Sequence, residues 1–356
     1  MDVVKILAIN PGSTSTKISV YENLRPIFQK TLRHSSEELA PFKKVTDQFS
    51  FRKDVILNEL ETAEIPVEFT IIMGRGGLVK PIESGVYEVN ETMIKDLRNS
   101  TMREHASSLG GLIARDLTDT IPNCRAFIVD PVVVDELQDL ARYSGHPDFP
   151  RISIFHALNQ KAVARTYAKS IDRDYEDINL IVTHLGGGIS VGAHLKGRVV
   201  DVNQALDGEG PFSPERSGTL PVGKLIDAMA EGATQQEMRK KVVGEGGLVA
   251  YMGTNSAVEV EQKALNGDKK AAKVYEAMAY QVAKEIGSAA VVLKGRVDAI
   301  IITGGIAYSD LFIQYLTYRI AWIAPVRVVP GEDEMRALAQ NAYLVATGEL
   351  APKEYI

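Results

Sequence analysis

Short apolar runs, each closed by a turn rich in glycine or proline, alternate along this chain with segments of helical spacing. Residues 3–9 form the first run, β-rich apart from Lys5, and it ends in Asn10-Pro11-Gly12. Residues 17–21 alternate apolar and polar side chains, Glu22-Asn23 reads as a turn, and residues 26–31 are extended again. Helical spacing over 35–60 follows, then a short strand at 67–73 that runs into Gly74-Arg75-Gly76-Gly77. Helices near 91–99 and 105–117 lead to a strand at 125–129 that ends on Asp130-Pro131.

The second half repeats this opening. A strand at 179–183, the turn His184-Leu185-Gly186-Gly187-Gly188, a strand at 189–194, a turn at Lys196-Gly197 and a strand at 198–202 give the same rhythm. The two openings lie about 175 residues apart, with little identity between them. A helix over 271–293 precedes a strand at 299–303 that ends in Gly304-Gly305, and a last helix covers 332–347. A duplicated βββ-plus-helix unit accounts for such a chain. Turn formers cluster between Gly145 and Ser153, so the expected division is residues 1–150, completed by the C-terminal 332–356, and residues 151–331.

Length agrees: 356 residues at ~150 per domain suggest about two. With 45% hydrophobic and 24% charged residues the chain is neither disordered nor fibrous. Forty Lys and Arg against 46 Asp and Glu leave a net charge of −6, which argues against a nucleic-acid partner. One cysteine, Cys124, excludes a disulfide framework and a thiolate-rich zinc site, and reads as a small buried hydrophobe. No run is long enough to span a membrane, since residues 286–293 stop at Lys294, and the opening run lacks the features of a signal peptide. A soluble, cytoplasmic protein is expected.

Two familiar patterns fail on inspection. Gly218 to Leu225 fits GxxxxGK, yet Leu225 stands where the magnesium-binding hydroxyl of a Walker A loop belongs, and no buried strand precedes it. Gly188-Ile189-Ser190-Val191-Gly192 fits the serine-hydrolase elbow, but a β-like run follows it and no histidine occurs after His194. A GxGxxG fingerprint is absent, and no histidine pair is spaced as HExxH.

What remains is a set of glycine-bearing turns at strand ends, where backbone N–H groups can approach an anion. Asn10 to Lys17 packs hydroxyl and amide side chains around Gly12 and closes on an ammonium. Arg75 and Arg216 sit on glycine-flanked turns, from which a guanidinium can offer its planar fork to a carboxylate or phosphoryl group, or make an ordinary salt bridge. Asp130 ends a strand where it could meet a metal or cap a turn, and His156 opens a helix. His34, His146 and His194 show no pattern of their own.

Taken together these motifs resemble the acetokinase family. Asn10-Pro11-Gly12-Ser13-Thr14-Ser15-Thr16-Lys17, His184 to Ser190 and Glu215-Arg216-Ser217-Gly218 carry the likeness. Val129 to Asp135, Ser153 to Gln160 and Ile302-Thr303-Gly304-Gly305 are similar to its butyrate kinase branch. The resemblance implies an α/β fold of two actin-like (ribonuclease H-like) domains with a nucleotide cleft. It also implies ATP- and Mg²⁺-dependent phosphorylation of a short-chain fatty acid such as butyrate, giving an acyl phosphate and ADP, by an enzyme that forms a homo-oligomer. By position, Asn10, Ser13, Ser15 and Lys17 would line the first phosphate-facing loop, and Arg75 and Arg216 would hold the acceptor carboxylate and the moving phosphoryl group. His156 would donate a hydrogen bond to that group and Asp130 would sit near the metal. His184, Gly186, Gly187 and Gly188 would approach the nucleotide phosphates, and Gly304 and Gly305 the adenosine. Glu334 resembles the family's C-terminal magnesium ligand, although Glu332 and Asp333 adjoin it. Gly187 stands where acetate kinases have asparagine, and the chain is shorter, which favours the butyrate branch over acetate.

Leu78, Val79, Pro81 and Val132 to Val134 could line an acyl pocket or simply pack the core. Acetate, propionate or isobutyrate kinases remain alternatives, as does an actin-like ATPase that hydrolyses ATP to move its domains.

Overall fold

The computed structural model describes residues 3–99 and 105–356, in two compact units. Unit 1 comprises 1–134 and 333–356, and unit 2 comprises 135–332.

Unit 1 is built on a six-stranded sheet. Its strands are β1 (Lys5–Pro11), β2 (Ser15–Glu22), β3 (Arg25–Arg33), β4 (Ile71–Arg75), β5 (Val86–Glu88) and β6 (Arg125–Val129), in the order β3-β2-β1-β4-β6-β5. β1, β2 and β3 form an antiparallel meander, whereas β1, β4 and β6 run parallel. The central strands are continuous apolar runs because both faces are covered; Ile6, Leu7, Ala8 and Ile9 are wholly buried. β3 lies at the edge, and its mostly exposed positions include Arg25, Lys30 and Arg33. The helical spacing at 35–60 resolves into a short helix, Ser36–Leu39, and a longer one, Phe49–Thr62. Pro41 falls between them, and its ring and missing N–H cannot continue a helix. Near the start of β6, burial pushes the Cys124 thiol up to about 11, as suits a packing residue.

Unit 2 repeats the topology. β7 (Asn179–Leu185), β8 (Ile189–Leu195) and β9 (Arg198–Val202) are the second meander, and β10 (Ala299–Gly304) and β11 (Val326–Pro330) extend it in parallel, in the order β11-β10-β7-β8-β9. Alternation along the strands splits the core between two faces. Ile181, Ile300 and Ile302 pack with the long helix Lys269–Val292, while Leu180, Val182, Ala299 and Ile301 pack against Ala164 and Ala168 of the helix Ala157–Ser170. The long helix buries Ala271, Tyr275, Met278, Ala279, Val282, Ile286 and Ala290, one stripe of a 3.6-residue period.

The division of the chain differs from its sequence expectation by residues 135–150 at one end and by Glu332 at the other. Residues 135–150 lie in unit 2, where Glu136 takes a 2.7 Å ion pair from buried Lys161 and Gln138 N–H donates to the carbonyl of Val200. Turn-forming residues at 145–153 mark a surface loop of that unit, so turn chemistry there does not mark a boundary.

Candidate active site

In both units the residues singled out from sequence gather at the carboxyl ends of parallel strands. That is where open α/β sheets bind ligands, because the backbone N–H groups and loops diverge there.

In unit 1, β1, β4 and β6 end beside one another, with Asn10 next to last in β1, Arg75 last in β4 and Asp130 just past β6. Buried Asn10 donates its amide to Glu334 Oε2 at 2.6 Å, and Arg75 Nη1 reaches the same oxygen at 2.9 Å. Glu334 Oε1 therefore has no partner among the described residues. The neighbouring acids do other work: Asp333 caps the helix Glu334–Ala346, accepting from Arg336 N–H, and Glu332 lies in unit 2, 3.7 Å from His184 Nε2. Asp130 is buried at a left-handed φ of 39°, and its Oδ1 accepts from Ser84 Oγ (2.6 Å) and Gly85 N–H (2.9 Å). Leu78, Val79 and Val133 belong to the core of unit 1. Their apolar character is thus accounted for by packing, the second of the two roles expected for them.

The turn between β1 and β2 is held by a residue that sequence reading missed. Arg52, on the helix Phe49–Thr62, is fully buried and donates to the carbonyls of Gly12, Ser13 and Ser15 and to Thr16 Oγ1, at 2.8 to 3.1 Å. Gln48 accepts from the same guanidinium. Burial pulls Arg52 down to about 10, which still leaves it charged at neutral pH. Its grip turns three loop carbonyls toward the protein. Thr16 also meets His34 Nε2 at 2.9 Å, so His34 supports the same loop. Ser13 and Lys17 are exposed, Ser15 is half-buried, and Lys17 pairs directly with Asn10 in the β1–β2 register.

In unit 2 the glycine turn between β7 and β8 is packed on three sides. A Cβ on Gly188 would overlap the guanidinium of Arg216, one on Gly186 would press on His184 Nε2, and Glu215 lies beside Gly187. Only glycine lets the Arg216 guanidinium come this close to the backbone. Arg216 is anchored through Nη1 on the carbonyl of Ala205 at 2.6 Å, and Ser213 Oγ donates to the carbonyl of Gly187 at the same distance. Gly304, at a φ of 94°, packs its backbone against Leu185, so the Gly304-Gly305 turn lies alongside this one. His156 and His184 stack with ring centroids 3.8 Å apart, and His184 Nδ1 is 2.9 Å from Asn159 Oδ1.

Beneath His156 lies a buried polar cluster of Ser190, Gln160, His194 and Tyr175. His156, Asn159 and Gln160 share one helical face through i, i+3, i+4 spacing, a signal readable in Ser153 to Gln160. His194 and Tyr175 carried no such signal.

The chain matches the model of the acetokinase family over residues 151–319. It is 55% identical over 353 residues to butyrate kinase 2 of Clostridium acetobutylicum, covering 99% of each protein. Among solved structures it resembles the acetate kinase of Porphyromonas gingivalis at 18% identity, with a TM-score of 0.77 over 97% of this chain and 100% of that one. A propionate kinase from Francisella tularensis subsp. tularensis SCHU S4 matches at 18% identity and a TM-score of 0.73, over 95% and 98% of the two chains. These likenesses give the fold as two actin-like α/β domains.

Proposed function

The chain belongs to the acetokinase family, and from that premise we propose that it transfers the terminal phosphoryl group of ATP to butyrate, reversibly and in one in-line step. It is a phosphotransferase with a carboxyl group as acceptor. The observation that carries the choice of butyrate is the 55% identity maintained along the whole length of the chain.

A short fatty acid with a solution pKa around ~4–5 is ionised at neutral pH, so its oxygen needs no general base. The barrier is the approach of a carboxylate to a polyanionic nucleotide. Catalysis then consists of positioning and of positive charge placed where the transferring group will be. Arg75 supplies that charge on unit 1; Nη2 and Nε have no partner among the described residues and present a fork to the acceptor carboxylate. Arg216 supplies it on unit 2, and His156 donates from its ring. The backbone of the 186–188 turn cradles the nucleotide phosphates, with Gly304 and Gly305 toward the adenosine. On unit 1 the loop of Asn10, Ser13, Ser15 and Lys17 faces phosphate.

Magnesium fits the donors present. Such an ion is typically held by one or two carboxylates plus nucleotide phosphates and water, and Glu334 Oε1 and Asp130 would supply the carboxylates. When bound it neutralises phosphate charge. Asp130 tests this assignment. Asparagine tolerates the left-handed backbone and can still accept from Ser84 and Gly85, so Asp130→Asn should keep its melting temperature within a few degrees. The Mg²⁺ concentration for half-maximal rate should rise by about tenfold. An unchanged Mg²⁺ dependence would remove Asp130 from the metal site.

The reading as a whole is tested by trapping acyl phosphate with hydroxylamine, in ATP and Mg²⁺, over acids of two to five carbons. Each buried methylene is worth ~0.8 kcal/mol, so butyrate should exceed acetate in kcat/KM by about tenfold or somewhat more. ATP hydrolysis indifferent to any acid would instead mark an ATP-driven switch. We place the enzyme in the cytoplasm, as a homo-oligomer.

A further inference from the structure

We propose that Gln160, Ser190, His194 and Tyr175 form a one-way hydrogen-bond chain that holds His156 as the neutral imidazole carrying its proton on Nε2. The proposal deepens the reading of His156 as a donor to the transferring phosphoryl group, and rests on it for the catalytic consequence. All five residues lie in unit 2.

The direction of the chain follows from one group that cannot donate. The Ser190 carbonyl faces the Gln160 amide at 3.1 Å, and a carbonyl only accepts, so the amide nitrogen must be the atom beside it. Gln160 Oε1 is thereby turned toward His194 Nε2, at 2.9 Å, and that nitrogen must carry a hydrogen. His194 is fully buried, and burial together with the nearby Lys161 and Arg165 charges drives its pKa well below the ordinary value. As a neutral ring it accepts at Nδ1, where the Tyr175 hydroxyl donates at 2.7 Å. The far end of the chain is thus anchored.

The near end carries the consequence. The second hydrogen of the Gln160 amide goes to Ser190 Oγ at 2.8 Å, and His156 N–H approaches the same oxygen at 3.5 Å. With both lone pairs engaged, the Ser190 hydroxyl has only its hydrogen left to give. His156 Nδ1 lies 2.8 Å away and receives it. A lone pair that accepts a hydrogen bond is not the site of a proton, so the ring proton resides on Nε2. The stack on His184 holds the ring plane, and Gln160 and Ser190 are wholly buried, which restricts re-orientation. Gln160 and Ser190 are positioning residues: they act on the reaction through His156.

Ligand-free protein labelled with ¹⁵N-histidine, studied by long-range ¹H–¹⁵N correlation at pH 8, reads the tautomer directly. The His156 signals are assigned by their loss in His156→Gln. Nε2–H is expected in the native enzyme, and Nδ1–H there would overturn the proposal. Gln160→Glu keeps the shape but replaces the donor with an acceptor, so it should draw the Ser190 hydrogen away and invert the His156 tautomer. Its kcat should fall on the order of a hundredfold, with KM for ATP and acid within about twofold. Should the buried carboxylate prevent folding, Ser190→Ala removes the donor with little change of volume and should give mixed tautomers and a smaller loss of kcat. A tautomer unmoved by both changes would also overturn the proposal. A tautomer that moves while kcat holds would leave the chain intact and remove His156 from the reaction.

Discussion

Arg216→Ala is expected to lower kcat by about 10³-fold or more while ATP still binds. The guanidinium lies against the backbone of Gly188 and is pinned on the Ala205 carbonyl, so its charge is pre-positioned beside the glycine turn. In phosphoryl transfer the charge of the moving group spreads over its equatorial oxygens in the transition state, and an arginine placed there contributes ~10³–10⁵ in rate. On the proposed reading ground-state binding depends less on it, because the Gly187 and Gly188 backbone would also meet the phosphates. Titration calorimetry with ATP and the hydroxamate rate together separate the two effects. Arg216→Lys should recover little, since an ammonium lacks the planar fork. Turnover near that of the native enzyme would remove Arg216 from the mechanism.

The second large effect concerns a residue outside the reacting groups. Replacing Arg52 by Met preserves approximate length and apolar contact but leaves the carbonyls of Gly12, Ser13 and Ser15, and Thr16 Oγ1, without their shared donor. Each buried acceptor left unsatisfied costs ~1–3 kcal/mol, partly recovered as the loop relaxes toward water, for a net loss of about 3 kcal/mol. That is a large fraction of the ~5–15 kcal/mol by which proteins are stable. The loop should also lose the arrangement in which its carbonyls face inward, raising KM for ATP. Urea unfolding followed by fluorescence checks the first part and steady-state kinetics the second. A midpoint within error of the native value would show that Arg52 does not hold the loop.

Much of the fold is legible in the sequence. The meanders at both ends of the duplication follow from runs such as Ile6 to Ile9 and Asn179 to Leu185, because apolar runs closed by glycine turns have few other ways to satisfy their backbone. The strand-end positions of Asn10, Arg75, Asp130, Gly186 and Gly304 were visible for the same reason. Arg52 is invisible there: three of its partners are backbone carbonyls 37 to 40 positions away, and a carbonyl leaves no trace in residue identity. His194 was equally silent, since Tyr175 and Gln160 reach it only after β8 packs against the helix Ala157–Ser170.

The choice among Glu332, Asp333 and Glu334 shows where the line falls. Local pattern places three acids at the start of the last helix and treats them alike. Tertiary structure sends one to His184, makes one a helix cap, and buries the third against Arg75 and Asn10. By itself the sequence determined the strands, the turns, the duplicated topology and the chemical class of the groups at the strand ends, because each depends on neighbours a few positions away. Only the tertiary structure decided which buried donor holds the first loop, which acid meets Arg75 and which hydroxyl faces His156 Nδ1. Those depend on distances between segments far apart in the chain, and on the demand that each polar group sealed from water find a partner.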